Sequence, residues 1–532
     1  MENRFVVART IIILTLVFAA HGISGCKPPE SKQFADGVRT KKLHPEAAAE
    51  VRDVVNEHFG TPHHLVATLE LPIKFGRIPG KVIATPAGVE LKPHQCFITL
   101  NEGTYSKGDL KGLGVVWKSG DYQEATYTIE KNDSKAGLKK GDEVIANFHV
   151  LSFHPYKPEN ESGKLEPAEE ASNQGILSLN FKLAEPLKPG DSFEIVGNYL
   201  RTGRKLYMQH CMHCHGYSGD GNGPTAKYLN PLPRDYRLGI FKFTSTKRPD
   251  KATRDDLMTI LVNGIPGTYM PSFKLQPRKE LEAIIEYIRW LAIRGEFEKI
   301  LGDGMEFTKE NWDELKSQKT ASYEKALERW KKRPGRKPEP QLEDFDPSSL
   351  LKEYVEAELP AQTETALTVL KKNWNAVELK ESKPKRIVRP LSRRVPPTPE
   401  SIARGRALYL SNTTNCWTCH GKTGEGNGPQ TTAFQKNIKE GGEYPEPGLY
   451  DDWGNKIKPR NLTRGIFRGG RRPIDLYRRI KVGIKGTPMP SFGTLTDQQI
   501  WDIVNYVLHV PVEQKHAGVS PKTSAGKMAA KD

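Results

Sequence analysis

"CMHCHGYSGDGNGPTA", residues 211–226, decides how this chain is read. It sets two cysteines three positions apart, a histidine directly after them, and then a glycine-rich loop. A near copy, "CWTCHGKTGEGNGPQT", begins at Cys416. The chemistry of the first stretch is therefore expected twice.

Three chemistries use Cys-x-x-Cys. Zinc needs two further ligands per site, usually a second Cys or His pair at similar spacing. Neither module holds one, and a shared four-cysteine site would leave His215 and His420 without a purpose. A thioredoxin-like redox pair needs a β-α-β setting, and the flanks here are glycine-rich loop. Cys-x-x-Cys-His is the attachment signature of a covalent c-type haem. On that reading Cys211, Cys214, Cys416 and Cys419 bond the haem vinyl groups. His215 and His420 lie on the same short helical turns, placed to ligate iron. Two such motifs predict two haem c groups.

The sixth iron ligand follows from a second repeat. "NGIPGTYMPSF" contains Met270 and "VGIKGTPMPSF" contains Met489. A lone Met is usually core filler. A Met that recurs in the same Gly-Thr-x-Met-Pro-Ser-Phe loop is expected to be an axial ligand, closing each iron to substrates. A ligating His also donates its other ring N–H to an acceptor. "NPLPRDYRLGIF" and "KPRNLTRGIF" share Pro-Arg and then Gly-Ile-Phe, so the carbonyls of Pro233 and Pro459 are the expected acceptors, with Pro231 as an alternate. Arg234 and Arg460 either pair with haem propionates, whose carboxylates match a guanidinium, or only shape the turn.

Each module opens and closes on a helix. Thr398 and Pro399 form an N-cap and first helical residue. Leu281, Ile284, Ile285, Ile288 and Leu291 keep helical spacing, as do Ile500, Ile503, Val504 and Val507, and Thr496 with Gln499 reads as a capping box. At these residues the modules resemble class I cytochrome c domains. Over about residues 198–511 the chain resembles diheme c-type cytochromes of planctomycete-like bacteria. The resemblance implies two all-α haem domains and respiratory electron transfer, with a haem–copper oxidase as an acceptor.

The bulk properties bound the rest. A chain of 532 residues exceeds a single core. A net charge of +16 suits nucleic acid, an acidic protein surface or an anionic membrane. No helix-turn-helix, zinc-finger or aromatic RNA-binding signature is present, so no nucleic-acid partner is expected. "MENRFVVAR", "TIIILTLVFAA" and "ISGC" read as basic region, short apolar run and small residues before Cys26. That is an export signal. Cys26 sits as in the bacterial lipoprotein box, so an acylated Cys26 is expected to hold the chain on a membrane of the cell envelope, facing the periplasm. An ordinary cleaved signal and an uncleaved anchor are the alternatives.

The expected division is a signal peptide to residue 25, an anchor region with a short helix at 26–74, a small all-β sandwich or barrel at 75–197, and cytochrome domains at 198–297 and 398–511. A charged helical and Pro-rich linker at 298–397 joins the two, and a disordered tail follows Val512. Cys96 reads as a buried thiol, because the β region holds no Met for a copper site. Arg464, Arg468, Arg471, Arg472, Arg478 and Arg479 form a basic run suited to an acidic redox partner. The expected function is electron relay with no small-molecule substrate and no catalytic residue. A diheme peroxidase or the haem subunit of a dehydrogenase is the alternative.

Overall fold

The computed structural model describes residues 31–84, 95–101, 113–119, 126–128, 151–155, 174–179, 188–333, 338–342, 346–437 and 441–517. The export and lipidation reading at Cys26 lies outside them. Among them, no helix is long and apolar enough to cross a membrane.

Helix α1 (Pro45–Phe59) begins on a proline and ends at Gly60, whose φ of 73° is the left-handed stop that glycine takes without steric cost. After a hairpin of two-residue strands, Gly60–Thr61 with His64–Leu65, come seven longer-range strands: β1 (Arg77–Val82), β2 (Gln95–Leu100), β3 (Gly114–Trp117), β4 (Thr126–Thr128), β5 (Leu151–Pro155), β6 (Gln174–Leu179) and β7 (Ser192–Val196). They form one antiparallel sheet in the order β4-β3-β7-β1-β2-β6-β5. Among the described residues, β4 and β5 are the two edges of this sheet. Strand β3, "GVVW", is too short an apolar run for its period to identify it in the sequence.

The first helical module starts at α2 (Asn198–His210) and the turn α3 (Met212–His215), continues through α4 (Arg254–Asn263), and closes on α5 (Arg278–Gly304). Helix α5 crosses α2 at Gly203, where a Cβ would stand 2.1 Å from the Ala283 carbonyl oxygen. Glycine alone permits that approach. The α5 stripe predicted from spacing is buried, and so are Trp290, Ile293, Phe297 and Leu301 beyond it. Burial on every side follows from two sets of neighbours: α2 packs on the first half, and α1 with α8 covers the rest.

Helix α6 (Lys309–Lys332) is mostly exposed, whereas α7 (Pro347–Ala357) and α8 (Leu359–Asn375) fold back on the module. Leu351, Leu359, Ala366, Leu370 and Trp374 join the same core as Phe34, Leu43, Val51 and Val55. The residues expected as a solvated linker and as an anchor region are in these parts walls of the first module. Buried charges fix the arrangement. Glu286 takes Arg254, and Glu378 on the returning segment pairs with Arg289 at 3.2 Å. The Trp374 indole donates to Glu296 at 2.7 Å. Paired and hydrogen-bonded, these groups avoid the large cost of an isolated buried charge.

The second module repeats the plan with α9 (Pro399–Leu410), the turn α10 (Cys416–His420), α11 (Pro473–Val482) and α12 (Asp497–Ala517). Thr398 caps α9 by accepting from the Ser401 amide, and Thr496 and Gln499 exchange side-chain bonds as a capping box. Gly405 meets α12 as Gly203 meets α5, with a Cβ 2.0 Å from the Asp502 carbonyl oxygen. Helix α12 runs past Val512 to Ala517, so the tail expected from Val512 begins as helix.

Candidate functional site

Both Cys-x-x-Cys-His segments fold as single helical turns at the ends of their opening helices. The His215 amide donates to the Cys211 carbonyl at 2.9 Å, closing the turn that brings both sulfurs and the imidazole to one side. The glycine-rich loops then wrap each turn by matching bonds. Gly221 and Gly426 donate to the carbonyls of His215 and His420 at 3.0 and 2.7 Å. Gly223 and Gly428 both donate at 3.1 Å to the carbonyls of Cys214 and Cys419. A Cβ at either of the latter glycines would lie within 2.5 Å of the turn's carbonyls, which explains the shared "GNGP".

The imidazoles are prepared for metal. His215 Nδ1 lies 3.4 Å from the Arg234 carbonyl oxygen, and His420 Nδ1 lies 3.1 Å from that of Arg460. A carbonyl only accepts, so Nδ1 carries the proton and the Nε2 lone pair is left for a metal. Burial pushes His215 down to about 4 and lowers His420 as well, keeping both rings neutral. The acceptors belong to the predicted loops but stand one residue later than Pro233 and Pro459. Those two proline carbonyls face Gly221 and Gly426 instead, where a Cβ would be 2.7 and 2.8 Å away. The proline peptides pack on the glycine loop, and the next peptide turns its oxygen to the ring.

The methionine loops are congruent. Met270 N donates to Thr268 Oγ1 at 3.1 Å, and Met489 N to Thr487 Oγ1 at 3.3 Å. Each threonine hydroxyl donates back to an isoleucine carbonyl, Ile265 or Ile484. Gly264 and Gly483, at φ of 64° and 72°, sit under the Met-Pro backbone where a side chain would collide. A loop held identically in two modules aims its Met identically.

One cavity of about 730 Å³ joins these elements. Cys211, Cys214, His215 and Met270 line it, and so do Cys416, Cys419, His420 and Met489. Leu257, Leu261, Phe273, Ile288, Leu476 and Phe492 are among its apolar walls. The four cysteines are unbridged. Burial raises Cys211 to about 12 and also raises Cys416 and Cys419. A redox-active pair needs a lowered thiol pKa, so the shift opposes thioredoxin-like chemistry. Among the described residues, no three His, Cys, Asp or Glu side chains converge as a zinc site requires. An apolar cavity with a thiol pair, a neutral imidazole and a thioether at each end fits haem c.

Two features escaped the sequence reading although they repeat. "TGRKLY" and "RGRALY" carry Gly203 with Tyr207 and Gly405 with Tyr409. The tyrosine hydroxyls donate to the carbonyls of Gly216 and Gly421 at 2.6 and 2.7 Å, tying each opening helix to its Cys-x-x-Cys-His turn. Comparing the two modules residue by residue would have found them. The basic run divides. Arg464, Arg471 and Arg472 are exposed, whereas Arg478 donates to the Val388 carbonyl and Arg479 to three backbone carbonyls. Arg468 lies on the cavity wall.

Residues 198–288 match the family described as cytochrome c oxidase, cbb3-type, subunit III, and residues 402–511 match the cytochrome c family. No curated protein matches the chain. A chain of the reducing HAO-like protein complex of Kuenenia stuttgartiensis is similar at 23% identity, over 58% of this chain and 95% of that one, with a TM-score of 0.36.

Proposed function

From the premise that this chain is a c-type cytochrome with two cytochrome c domains, whose work is electron transfer, we propose that it is a diheme electron relay. Cys211, Cys214, Cys416 and Cys419 would hold two haem c groups by thioether bonds. His215 with Met270, and His420 with Met489, would ligate the two irons. The haem supplies a one-electron iron couple. The chain fixes each imidazole through the Arg234 or Arg460 carbonyl, excludes water with apolar walls, and presents the thioether on a rigid loop. Two protein ligands per iron leave no position for a substrate, so the chain has no catalytic residue of its own.

The observation that carries this reading is the repetition of one geometry. Each module places an unbridged Cys pair, a neutral, half-buried His with its Nδ1 on a carbonyl, and a threonine-braced Met loop around one cavity. Export with lipidation at Cys26 would put the relay on a membrane surface of the envelope. The match of the first module to an oxidase subunit family supports a haem–copper oxidase as acceptor. The exposed Arg464 and Arg471 suit an acidic partner, with association that weakens in salt, while Arg472 is paired with Asp475.

Haem content tests the reading. Wild-type protein should retain two haems per chain through denaturing electrophoresis, and replacement of Cys416 and Cys419 by alanine should leave one. Loss of both haems on denaturation, or an undiminished count in the double variant, contradicts it.

A further inference from the structure

The two modules meet at their metal-loop ends, and the contact is reciprocal. Thr246 bridges to Ile387, and the Val388 amide donates to the Ser245 carbonyl at 2.7 Å. Lys485, buried beside the second Met loop, donates to Thr246 Oγ1 and to the Asp250 carbonyl at 2.8 and 2.6 Å. Arg248 reaches the Ile484 carbonyl at 2.6 Å. Phe243 packs on Gly469, where a Cβ would be 2.4 Å from the ring.

Within this contact each module's Pro-Arg arginine has crossed over. The Arg234 guanidinium lies 3.8 Å over the Trp453 ring of the second module. A Cβ on Gly486, in the second Met loop, would be 2.9 Å from its Nη1. Arg460 of the second module lies against the first Met loop, with its Nη2 2.7 Å from a Cβ on Gly267. Arg468 follows it there, its Nη2 3.4 Å from the Gly267 carbonyl oxygen.

These cations lack anions. Arg234 Nη1 and Nη2 and Arg468 Nε are buried with no hydrogen-bond partner. None of the three arginines makes an ion pair among the described residues, and all three line the cavity. Asp451 and Asp452 attract Arg234 without pairing with it, and burial takes it down to about 10. Arg460 and Arg468 repel one another as well as being desolvated. A cation over an aromatic face recovers only part of what burying an unpaired charge costs. An anion inside the cavity would meet the difference.

We infer that Arg234, Arg460 and Arg468 are carboxylate-binding residues shared between the modules, so that the carboxylates of each haem are held partly by the other module. This rests on the diheme reading above. A guanidinium presents two parallel N–H donors to a carboxylate, which is what the free Nη1 and Nη2 of Arg234 offer. A positive charge at the boundary acts on both irons and favours the reduced form of each. The two redox centres are therefore tuned together.

An optical redox titration of the full chain tests this. Met489→Ala, which removes a sulfur ligand, separates the two waves so that each is assigned to its module. In that background and in wild type, Arg234→Gln should shift both waves to lower potential while both haems stay attached. Arg234→Lys keeps the charge and should shift them less. A shift confined to the first module, no shift at all, or an equal effect of Lys and Gln overturns the inference. Wild-type protein without two covalent haems would instead overturn the diheme reading beneath it.

Discussion

Replacing Gly405 by alanine should loosen the second module although alanine is the better helix former. A Cβ there would stand 2.0 Å from the Asp502 carbonyl oxygen and 2.9 Å from Tyr506 Cβ. Contacts to backbone below 3.0 Å do not persist, so α9 and α12 must part by about 1 Å, the gap from 2.0 to 3.0. Both helices are rigid and the core between them is closed by Ile500, Ile503 and Val504, so no flexible side chain can absorb the movement. Overpacking of this kind costs about 1–3 kcal/mol, and the gain in helix propensity returns up to about 1 kcal/mol. The difference centres on about 1–1.5 kcal/mol, roughly tenfold in the opening equilibrium of the α9–α12 pair. Because a chain of several cores need not unfold in one step, the assay is hydrogen exchange resolved by peptide. Amides of α9 and α12 should lose about tenfold in protection while those of α2 and α5 hold theirs. Ala407→Gly, on the exposed face of α9, should cost about 1 kcal/mol through propensity alone. Protection in Gly405→Ala at or above the wild-type level would show that the crossing is not tight and refute the argument.

Other expectations concern the ligands, the boundary and the anchor. Met270→Ala and Met489→Ala should each convert one haem to a form that takes up carbon monoxide and leave the other unchanged; a single variant that opens both would link the loops. Lys485 is brought down to about 8 by burial, against about 10.4 in an unfolded chain. The unfolded state then holds more protons between those values, so stability should rise with pH across that window. Urea midpoints measured from pH 7 to 10 should rise less in Lys485→Met; Lys251, lowered likewise to about 8, supplies the remainder, and an unchanged slope would exclude Lys485. Cys26→Ala should move the protein from membranes to the soluble fraction, since acylation contributes about 0.8 kcal/mol per buried methylene; retention after a high-salt wash would exclude a lipid anchor.

The sequence was most legible where the chain repeats itself. Cys-x-x-Cys-His and Gly-Thr-x-Met-Pro-Ser-Phe each occur twice, and the structure gives both copies the same hydrogen bonds. Second contacts were legible only to the loop. The acceptor for His215 and His420 is the Arg234 or Arg460 carbonyl, because peptide orientation depends on how Pro233 and Pro459 seat against Gly221 and Gly426. Long-range packing was not legible at all. The charged composition around α7 and α8 describes their outer faces, while Leu351, Leu359, Ala366, Leu370 and Trp374 face the core. Lys485 and Trp453 carry no local signal, since their roles exist only once the two modules meet.

The central claim is that both irons are closed by protein ligands, which separates a relay from an enzyme. Its most direct test is the optical spectrum of the reduced full-length protein before and after carbon monoxide. The account predicts two low-spin haems and no change on adding the gas. A native haem that binds carbon monoxide would contradict it and return the peroxidase reading.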